Sequence, residues 1–385
     1  MRRSFHKAGW IMVKPEIWIE NGMVEVFDGR ITAICGGKAG GQIRDHGPGV
    51  IMPALINAHT HLSLSVLHDR IVTKNGFVPW VKELIQTRAG LSYEDVSTAA
   101  AGAAQDLRDS GTALVAEVGP LEPGASAIKA ADIEGIVFTE VLGNRPAFPV
   151  LPGDSNGLSF SFAGHGLHTT DPATLRTLRD AAIRRNNLFS LHLAESEAET
   201  EFLGTGRGSW AELLASRGID ISTWDIRGER PVQRADRLGL LSPKTLAVHL
   251  LQVTRKDMQT LAETGTSVCL CPRSNFTLHG RLPDIYGLLE TGLAPTLGTD
   301  SLASNSSLSM FEEMAFLHAN YPDLRPPTIL ALATTNGARA LGRTDLGTAE
   351  PGQKARLIYV DLPANSRDEA ALKLVSRKPQ KVDFL

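Results

Sequence analysis

Short apolar runs separated by turn residues fill the first fifty positions of the chain, a pattern typical of β-strands. Three of these runs are residues 17–19, 24–26 and 31–34. The Asn-Gly pair at 21–22 and the Asp-Gly pair at 28–29 lie between them and predict tight hairpins. A similar strand is predicted at 355–361, after a Pro-Gly turn. The two ends of the chain are therefore expected to build one small β domain.

The middle of the chain alternates strand patterns with helix patterns. Buried strands are predicted at residues 112–118, 135–140, 188–193, 245–250, 266–270 and 294–297. Helices with capping signals are predicted to start at Ser92, Asp171 and Thr254, and a further helix is predicted at 307–319. Repeated strand–helix units favour a parallel barrel. A doubly wound sheet is the alternative, but no glycine-rich phosphate loop follows an early strand.

These patterns predict an α/β fold with two domains. Residues 53–341 are expected to form a (β/α)8 TIM-type barrel. Residues 1–52 and 342–385 are expected to form a small composite β-sandwich. Barrel enzymes carry their catalytic groups at the C-terminal ends of the strands, so those positions are the ones to search for chemistry.

Composition and charge narrow the class of protein. The chain has 385 residues, of which 42% are hydrophobic and 21% charged, so a large core is expected. A net charge of −3 leaves no broad basic field for nucleic acid or anionic lipid. Three cysteines are too few for a disulfide scaffold, and no apolar run is long enough for a membrane helix. We expect a cytoplasmic enzyme with neither a nucleic-acid nor a membrane partner.

Histidines and an aspartate close several of the predicted strands. His59 and His61 lie two apart after an apolar strand, so both can project to the same side and bind one metal ion. His192, His249 and Asp300 each end another strand. A single histidine on an apolar strand is more often a core residue, but the strands of a parallel barrel all end at one mouth. Three of these four histidines together with the carboxylate would suit zinc, with iron or another transition metal as the alternative.

Two further observations concern the chemistry at this mouth. Glu195 follows His192 by three residues, where a carboxylate could move protons beside an activated water. Its alternative interpretation is an acid in the first turn of a helix, favoured by the helix dipole. The strand at 135–140 carries no lysine that could bridge a second ion, so one metal ion is predicted. Cys269 and Cys271 are interpreted as small apolar residues of a buried strand.

Taken together, these motifs resemble the amidohydrolase superfamily, in its branch of metal-dependent purine nucleoside deaminases. The resemblance covers nearly the whole chain, including the segment 346–355, which is similar to part of the family's β-sandwich. It implies one divalent ion, Zn²⁺ or alternatively Fe²⁺, with the ligands His59, His61, His192 and Asp300. It also implies that Glu195 moves protons, that His249 orients the attacking water with Asp300 as proton acceptor, and that His165 contacts the purine.

The resemblance implies hydrolytic deamination of a 6-aminopurine nucleoside, in which metal-activated hydroxide attacks C6 and ammonia leaves. Aminodeoxyfutalosine, of the alternative menaquinone pathway, is the first substrate expected. Methylthioadenosine, S-adenosylhomocysteine or adenosine come second, and a triazine-type chlorohydrolase is a further alternative. The methylthioadenosine enzymes usually have a glutamate just before a tryptophan after the first strand, but this chain has Val78-Pro79-Trp80.

Substrate contacts are predicted from the same resemblance. Aminodeoxyfutalosine carries a benzoate, and Arg145 and Arg273 are candidates to bind its carboxylate. Trp80 is a further candidate substrate contact. A homodimer is the family-level expectation. Some barrels of the superfamily have lost their ligands and serve as assembly proteins, but here every ligand position is filled.

Overall fold

The computed structural model describes residues 3–35, 42–73, 75–144, 148–155 and 157–385. The chain falls into two compact units. One unit comprises Met1–Asn57, Gln105–Leu114 and Ser309–Leu385, and the other comprises Ala58–Ala104 and Val115–Leu308. The domain boundaries given above, at 52/53 and 341/342, stay a prediction.

The strands of the described residues form three sheets. Those of the N-terminal region are β1 (Arg3–Lys7), β2 (Trp10–Lys14), β3 (Ile17–Glu20), β4 (Met23–Phe27), β5 (Arg30–Cys35), β6 (Ile43–Asp45) and β7 (Val50–Pro53). Those of the central region are β8 (Leu55–Thr60), β9 (Thr112–Gly119), β10 (Glu134–Val141), β11 (Leu158–Gly166), β12 (Phe189–Leu193), β13 (Thr245–His249), β14 (Ser267–Leu270) and β15 (Thr296–Leu297). The last two are β16 (Leu357–Val360) and β17 (Val382–Phe384).

The small β domain contains strands from both ends of the chain, as predicted. One of its sheets has the order β5-β4-β1-β6, and the other has the order β17-β16-β7-β2-β3. A buried apolar cluster includes residues of both sheets, among them Val24 and Ile31 from the first and Ile11, Ile51 and Leu357 from the second. The two sheets therefore bury their apolar faces in a common core.

The two predicted hairpins had different outcomes. Strands β4 and β5 pair antiparallel around Asp28-Gly29, so that hairpin is confirmed. The hairpin at Asn21-Gly22 is wrong, because β3 pairs with β2 and the chain then crosses to the other sheet. Asn21 and Asp28 both take a left-handed backbone, with φ of 48° and 51°. At the second position Gly29 also has a positive φ, 73°, as a tight hairpin of this kind requires, and the flanking strands pair with each other.

The central strands form one parallel sheet in chain order, from β8 to β15. Its two edges meet, because Thr60 on β8 bridges to Asp300, just after β15. The carbonyl oxygen of His59 accepts the N–H groups of Thr299 (3.0 Å) and Asp300 (3.1 Å). This closure makes the sheet a (β/α)8 TIM-type barrel, which confirms the predicted fold class.

Helices connect the strands of the central region, and three of them begin at predicted capping residues. They are α1 (Phe77–Ala89), α2 (Tyr93–Asp109), α3 (Leu121–Ala130), α4 (Pro172–Arg184), α5 (Glu197–Thr205), α6 (Ser209–Ser216), α7 (Pro231–Arg237), α8 (Arg255–Glu263), α9 (Pro272–His279), α10 (Ile285–Glu290), α11 (Met310–Asn320), α12 (Pro326–Leu332), α13 (Thr335–Ala340) and α14 (Arg367–Ser376), with a 3-10 helix at Leu62–Leu67. Ser92, Asp171 and Thr254 accept N–H groups of the first turns of α2, α4 and α8, as predicted. Helix α11 begins three residues later than predicted.

In the described part of the chain, no helix has the length and apolar character to cross a membrane.

Gly298 permits the close approach of the two edge strands. A Cβ atom added at this position would lie 2.7 Å from the Cβ atom of His59 and 2.8 Å from its carbonyl oxygen. Neither neighbour can give way, because the same carbonyl holds the hydrogen bonds that close the barrel.

We expect the substitution Gly298→Ala to lower the free energy of unfolding by about 1–3 kcal/mol, the usual cost of overpacking a buried position. Urea denaturation would measure the change. Gly102→Ala is the matched control, because position 102 is an exposed helix position with no atom near the added methyl. That control should stabilise the protein by about 0.5–1 kcal/mol. Equal stability of Gly298→Ala and the wild type would contradict this account of the closure.

Candidate active site

The four predicted metal ligands lie together at one end of the barrel. Ring nitrogens of His59, His61 and His192 lie within 4.8 Å of one another, and all three side chains are buried. The Nε2 atoms of His59 and His192 are 3.2 Å apart. The Oδ1 atom of Asp300 is 3.6 Å from Nε2 of His61 and 3.8 Å from Nε2 of His59. Residues far apart in sequence thus surround one small volume.

Burial keeps these imidazoles neutral at physiological pH. Desolvation lowers the pKa of His61 to about 4 and that of His192 to about 3. It also holds the pKa of His59 well below the usual value, and the neighbouring histidines lower it further. The neutral imidazole is the form that binds metal, because one of its nitrogens has a free lone pair. Three such rings beside a carboxylate fit a divalent ion of the zinc type.

Asp300 is held in place by two serine hydroxyl groups. Burial raises the pKa of its carboxyl group, and hydrogen bonds from Ser274 and Ser304 oppose that rise. Both serines donate to Oδ2, Ser304 over 2.7 Å. The other oxygen, Oδ1, is the one nearest the histidines. The serines thus orient the carboxylate so that one oxygen faces the histidine cluster.

His249 lies beside the cluster at the end of β13. It is buried, and its ring centre is 5.2 Å from that of His192 and 5.8 Å from that of His59. Its backbone is left-handed, with φ of 79°. The side-chain amide of Asn275 lies 3.2 Å from its Nδ1 atom, which leaves the Nε2 atom of the ring for the site.

Glu195 is buried at the same mouth. Its Oε1 atom is 3.3 Å from Nε2 of His279 and 3.9 Å from Nε2 of His249. Burial raises the pKa of its carboxyl group, and the hydrogen bond with His279 opposes that rise. Helix α5 has Ser196 as its N-cap, so Glu195 precedes the helix. It does not occupy the first-turn position of the alternative interpretation.

Of the predicted substrate contacts, His165 lies beside the cluster, and Trp80 lies in a buried apolar cluster with Leu67 and Leu278. The half-buried ring of His165 has its centre 4.9 Å from that of His192, and its Nδ1 atom is 2.8 Å from the Thr169 hydroxyl. Trp80 is buried, and its indole N–H donates to the carbonyl oxygen of Ala303 over 3.2 Å. The indole N–H is therefore already bonded within the protein, and a substrate contact of Trp80 stays a prediction.

Of the two arginines predicted to bind a substrate carboxylate, Arg273 belongs to the described residues. Arg273 is half-buried, and its guanidinium group donates to the Ser306 hydroxyl (2.7 Å) and the Ser307 carbonyl oxygen (3.3 Å). Arg145 lies outside the described residues. A role for either arginine in carboxylate binding stays a prediction.

Two residues of the site escaped the sequence analysis. His279 ends α9, where a histidine is ordinary because of the helix dipole, so no local signal marked it. Its ring packs against Phe77, with centres 4.7 Å apart. Glu140 lies near the end of β10, and its Oε1 atom is 3.8 Å from Nδ1 of His192. Burial raises its pKa to about 7. Its position near a strand end, where barrel enzymes carry functional groups, is the sequence signal that marks it.

Comparisons with known proteins agree with this architecture. The Amidohydrolase family matches residues 50–382. A 5-methylthioadenosine/S-adenosylhomocysteine deaminase of Nitratidesulfovibrio vulgaris is 30% identical over 377 residues, which cover 90% of this chain and 80% of the relative.

Two solved structures are similar over almost the whole chain. An adenosine deaminase from Xanthomonas campestris with bound zinc is 26% identical, with a TM-score of 0.82 over 99% of this chain and 91% of that one. Helicobacter pylori aminofutalosine deaminase in complex with methylthio-coformycin has a TM-score of 0.87 over 99% and 98% of the two chains. At 21% identity the second supports the fold alone. From its sequence and its fold, the chain belongs to the amidohydrolase family and is a metal-dependent hydrolase.

Proposed function

We propose that this protein deaminates a 6-aminopurine nucleoside by hydrolysis. The observation that carries the proposal is Glu195, a buried carboxyl group with an elevated pKa beside the cluster of three histidines and Asp300. A metal site alone would serve many hydrolases, but an acid beside it suits an aromatic ring that must gain a proton as it is attacked. The relatives named as deaminases of adenosine and its thioether derivatives support the same chemistry.

The metal ion would be held by His59, His61, His192 and Asp300, whose donor atoms fit it. When bound, such an ion acts as a Lewis acid and makes water a strong nucleophile near neutral pH. Asp300 accepts one proton of the attacking water. His249, fixed through Asn275, orients that water toward C6 of the purine.

Glu195 supplies the proton that the purine ring needs. Because burial raises its pKa, a larger fraction of its carboxyl groups is protonated at neutral pH than in solvent. It donates this proton to N1 while the water oxygen bonds to C6. The amino group then takes the proton held by Asp300 and leaves as ammonia, and the new hydroxyl returns its proton to Glu195. The C6 carbonyl forms and both carboxyl groups regain their starting states.

Aminodeoxyfutalosine is the substrate we propose first. It is supported by Val78-Pro79-Trp80, where a glutamate would be expected before the tryptophan in a methylthioadenosine deaminase. Methylthioadenosine and S-adenosylhomocysteine are the second candidates, supported by the name of the relative at 30% identity. Ammonia release from these three nucleosides and adenosine would test both the reaction class and the order of substrates.

Removal of the metal ion should abolish activity. Dialysis against a chelator should stop ammonia release, and Zn²⁺ or Fe²⁺ should restore it, because water needs the Lewis acid. Metal analysis should find one ion per wild-type chain and much less in His192→Ala. His68→Ala, at a largely exposed histidine, should keep its metal. Full activity in metal-free protein would refute the proposed chemistry.

Glu195→Gln should lower kcat by about 10²–10⁴-fold and keep the bound metal, because an amide cannot donate the ring proton. Steady-state kinetics together with metal analysis would measure this. Glu197→Gln is the matched control, since that side chain is 78% exposed and pairs with Arg281. Near-normal turnover of Glu195→Gln would mean that another group protonates the ring.

Arg273→Met should raise KM for aminodeoxyfutalosine by about 10–100-fold, the usual worth of a hydrogen bond to a charged group. The KM for adenosine, which has no carboxylate, should change little. Arg281→Met provides a control at an exposed arginine. If KM rises equally for both nucleosides, Arg273 does not bind the substrate carboxylate.

A further inference from the structure

A second glutamate, Glu199, lies behind Glu195 and is completely buried in the first turn of α5. Its Oε1 atom accepts the backbone N–H of Ala194 over 3.2 Å. Its Oε2 atom accepts the backbone N–H of Glu195 over 2.8 Å. A buried carboxylate is costly unless its oxygens are bonded, and here both oxygens bind consecutive residues of the turn that leads from β12 to α5.

The sequence around Glu199 would ordinarily be explained as a helix capping box. Ser196 is the N-cap, and its hydroxyl accepts the N–H of Glu199 over 3.1 Å. In a capping box the glutamate side chain would return this bond to the N–H of Ser196. Instead it reaches past the cap to the two residues before it. Its role therefore concerns the turn more than the end of the helix.

That turn has an unusual backbone. Ala194 takes a left-handed conformation, with φ of 54°, which is unfavourable for a residue with a Cβ atom. Its carbonyl oxygen also accepts the N–H of Gln252 over 2.8 Å. A strained residue persists only where its surroundings hold it, and Glu199 supplies two of the bonds that do so. The direction of the Glu195 side chain depends on this turn.

We propose that Glu199 is a positioning residue that holds the 194–195 turn and thereby keeps the Glu195 carboxyl group at the reacting centre. The role rests on the function proposed above. On its other side, the carboxylate faces the buried His168, whose Nδ1 atom is 3.7 Å from Oε1. The ring of His168 packs on Trp210, with centres 4.4 Å apart. These two rings therefore pack on the side of the carboxylate that faces away from the turn.

The substitution Glu199→Gln tests the two-oxygen arrangement. An amide has one oxygen, so one of the two N–H groups would face an NH2 group. We expect kcat to fall by about 10–100-fold, as for other outer residues that orient a site, with KM and bound zinc unchanged. Glu197→Gln is the control, because it removes the same charge from the same helix turn at an exposed position. If Glu199→Gln does not fold, Glu199→Asp is the second variant. It keeps the charge, but its shorter side chain places the carboxylate farther from the N–H groups of Ala194 and Glu195.

A double-mutant cycle with Glu195→Gln separates positioning from a general structural role. If Glu199 acts through Glu195, adding Glu199→Gln to Glu195→Gln should change kcat by no more than about twofold. If the same loss appears in both backgrounds, Glu199 acts elsewhere and the proposal fails. Loss of zinc in proportion to activity would also overturn it, because Glu199 would then support the metal site.

A crystal structure of zinc-loaded Glu199→Gln tests the proposal without any substrate. We expect the Glu195 carboxyl group to leave its position 3.3 Å from Nε2 of His279. An unchanged turn and an unchanged Glu195 would overturn the positioning role. If the wild type releases ammonia from none of the nucleosides, the proposed function fails, and this structure still decides whether Glu199 holds Glu195.

Discussion

Closure of the parallel barrel is the constraint on which the rest of the structure depends. The carbonyl oxygen of His59 accepts the N–H groups of Thr299 and Asp300, so a histidine of the cluster on the first barrel strand is bonded directly to the segment that carries Asp300. The Thr60 hydroxyl adds a bond of 3.0 Å to the Asp300 carbonyl, across 240 residues of sequence. Gly298 makes this approach sterically feasible. Closure of the barrel and assembly of the site therefore depend on the same contacts.

Burial then determines the chemical state of the groups that closure gathers. Desolvation penalises every charged form, so it lowers the pKa of the histidines and raises that of the carboxyl groups. The histidines become neutral donors, while Glu195 retains its proton more readily than it would in water. One physical cause, burial, thus favours the neutral form of both the histidines and the carboxyl groups.

Buried glutamate side chains also bind the backbone just beyond two histidines of the cluster. Glu117 accepts the N–H of Leu62 over 2.9 Å, immediately after His61. Glu199 accepts the N–H groups of Ala194 and Glu195, shortly after His192. Loops at a barrel mouth carry function only where something holds them, and here that support comes from side chains pointing back at the backbone. Glu195, the proton donor proposed above, belongs to such a turn.

The sequence by itself determined the barrel and the place where its buried histidines meet, because His59, His61, His192 and His249 lie at or just after the ends of apolar strands, which share one mouth in a parallel barrel. It also determined the helix starts at Ser92, Asp171 and Thr254, because capping is a local interaction. Only the tertiary structure decided the partner of β3, the approach of His279 to Glu195 and the reach of Glu199 past its own helix cap. These contacts join residues whose local patterns are ordinary, and they form only when separate segments pack together.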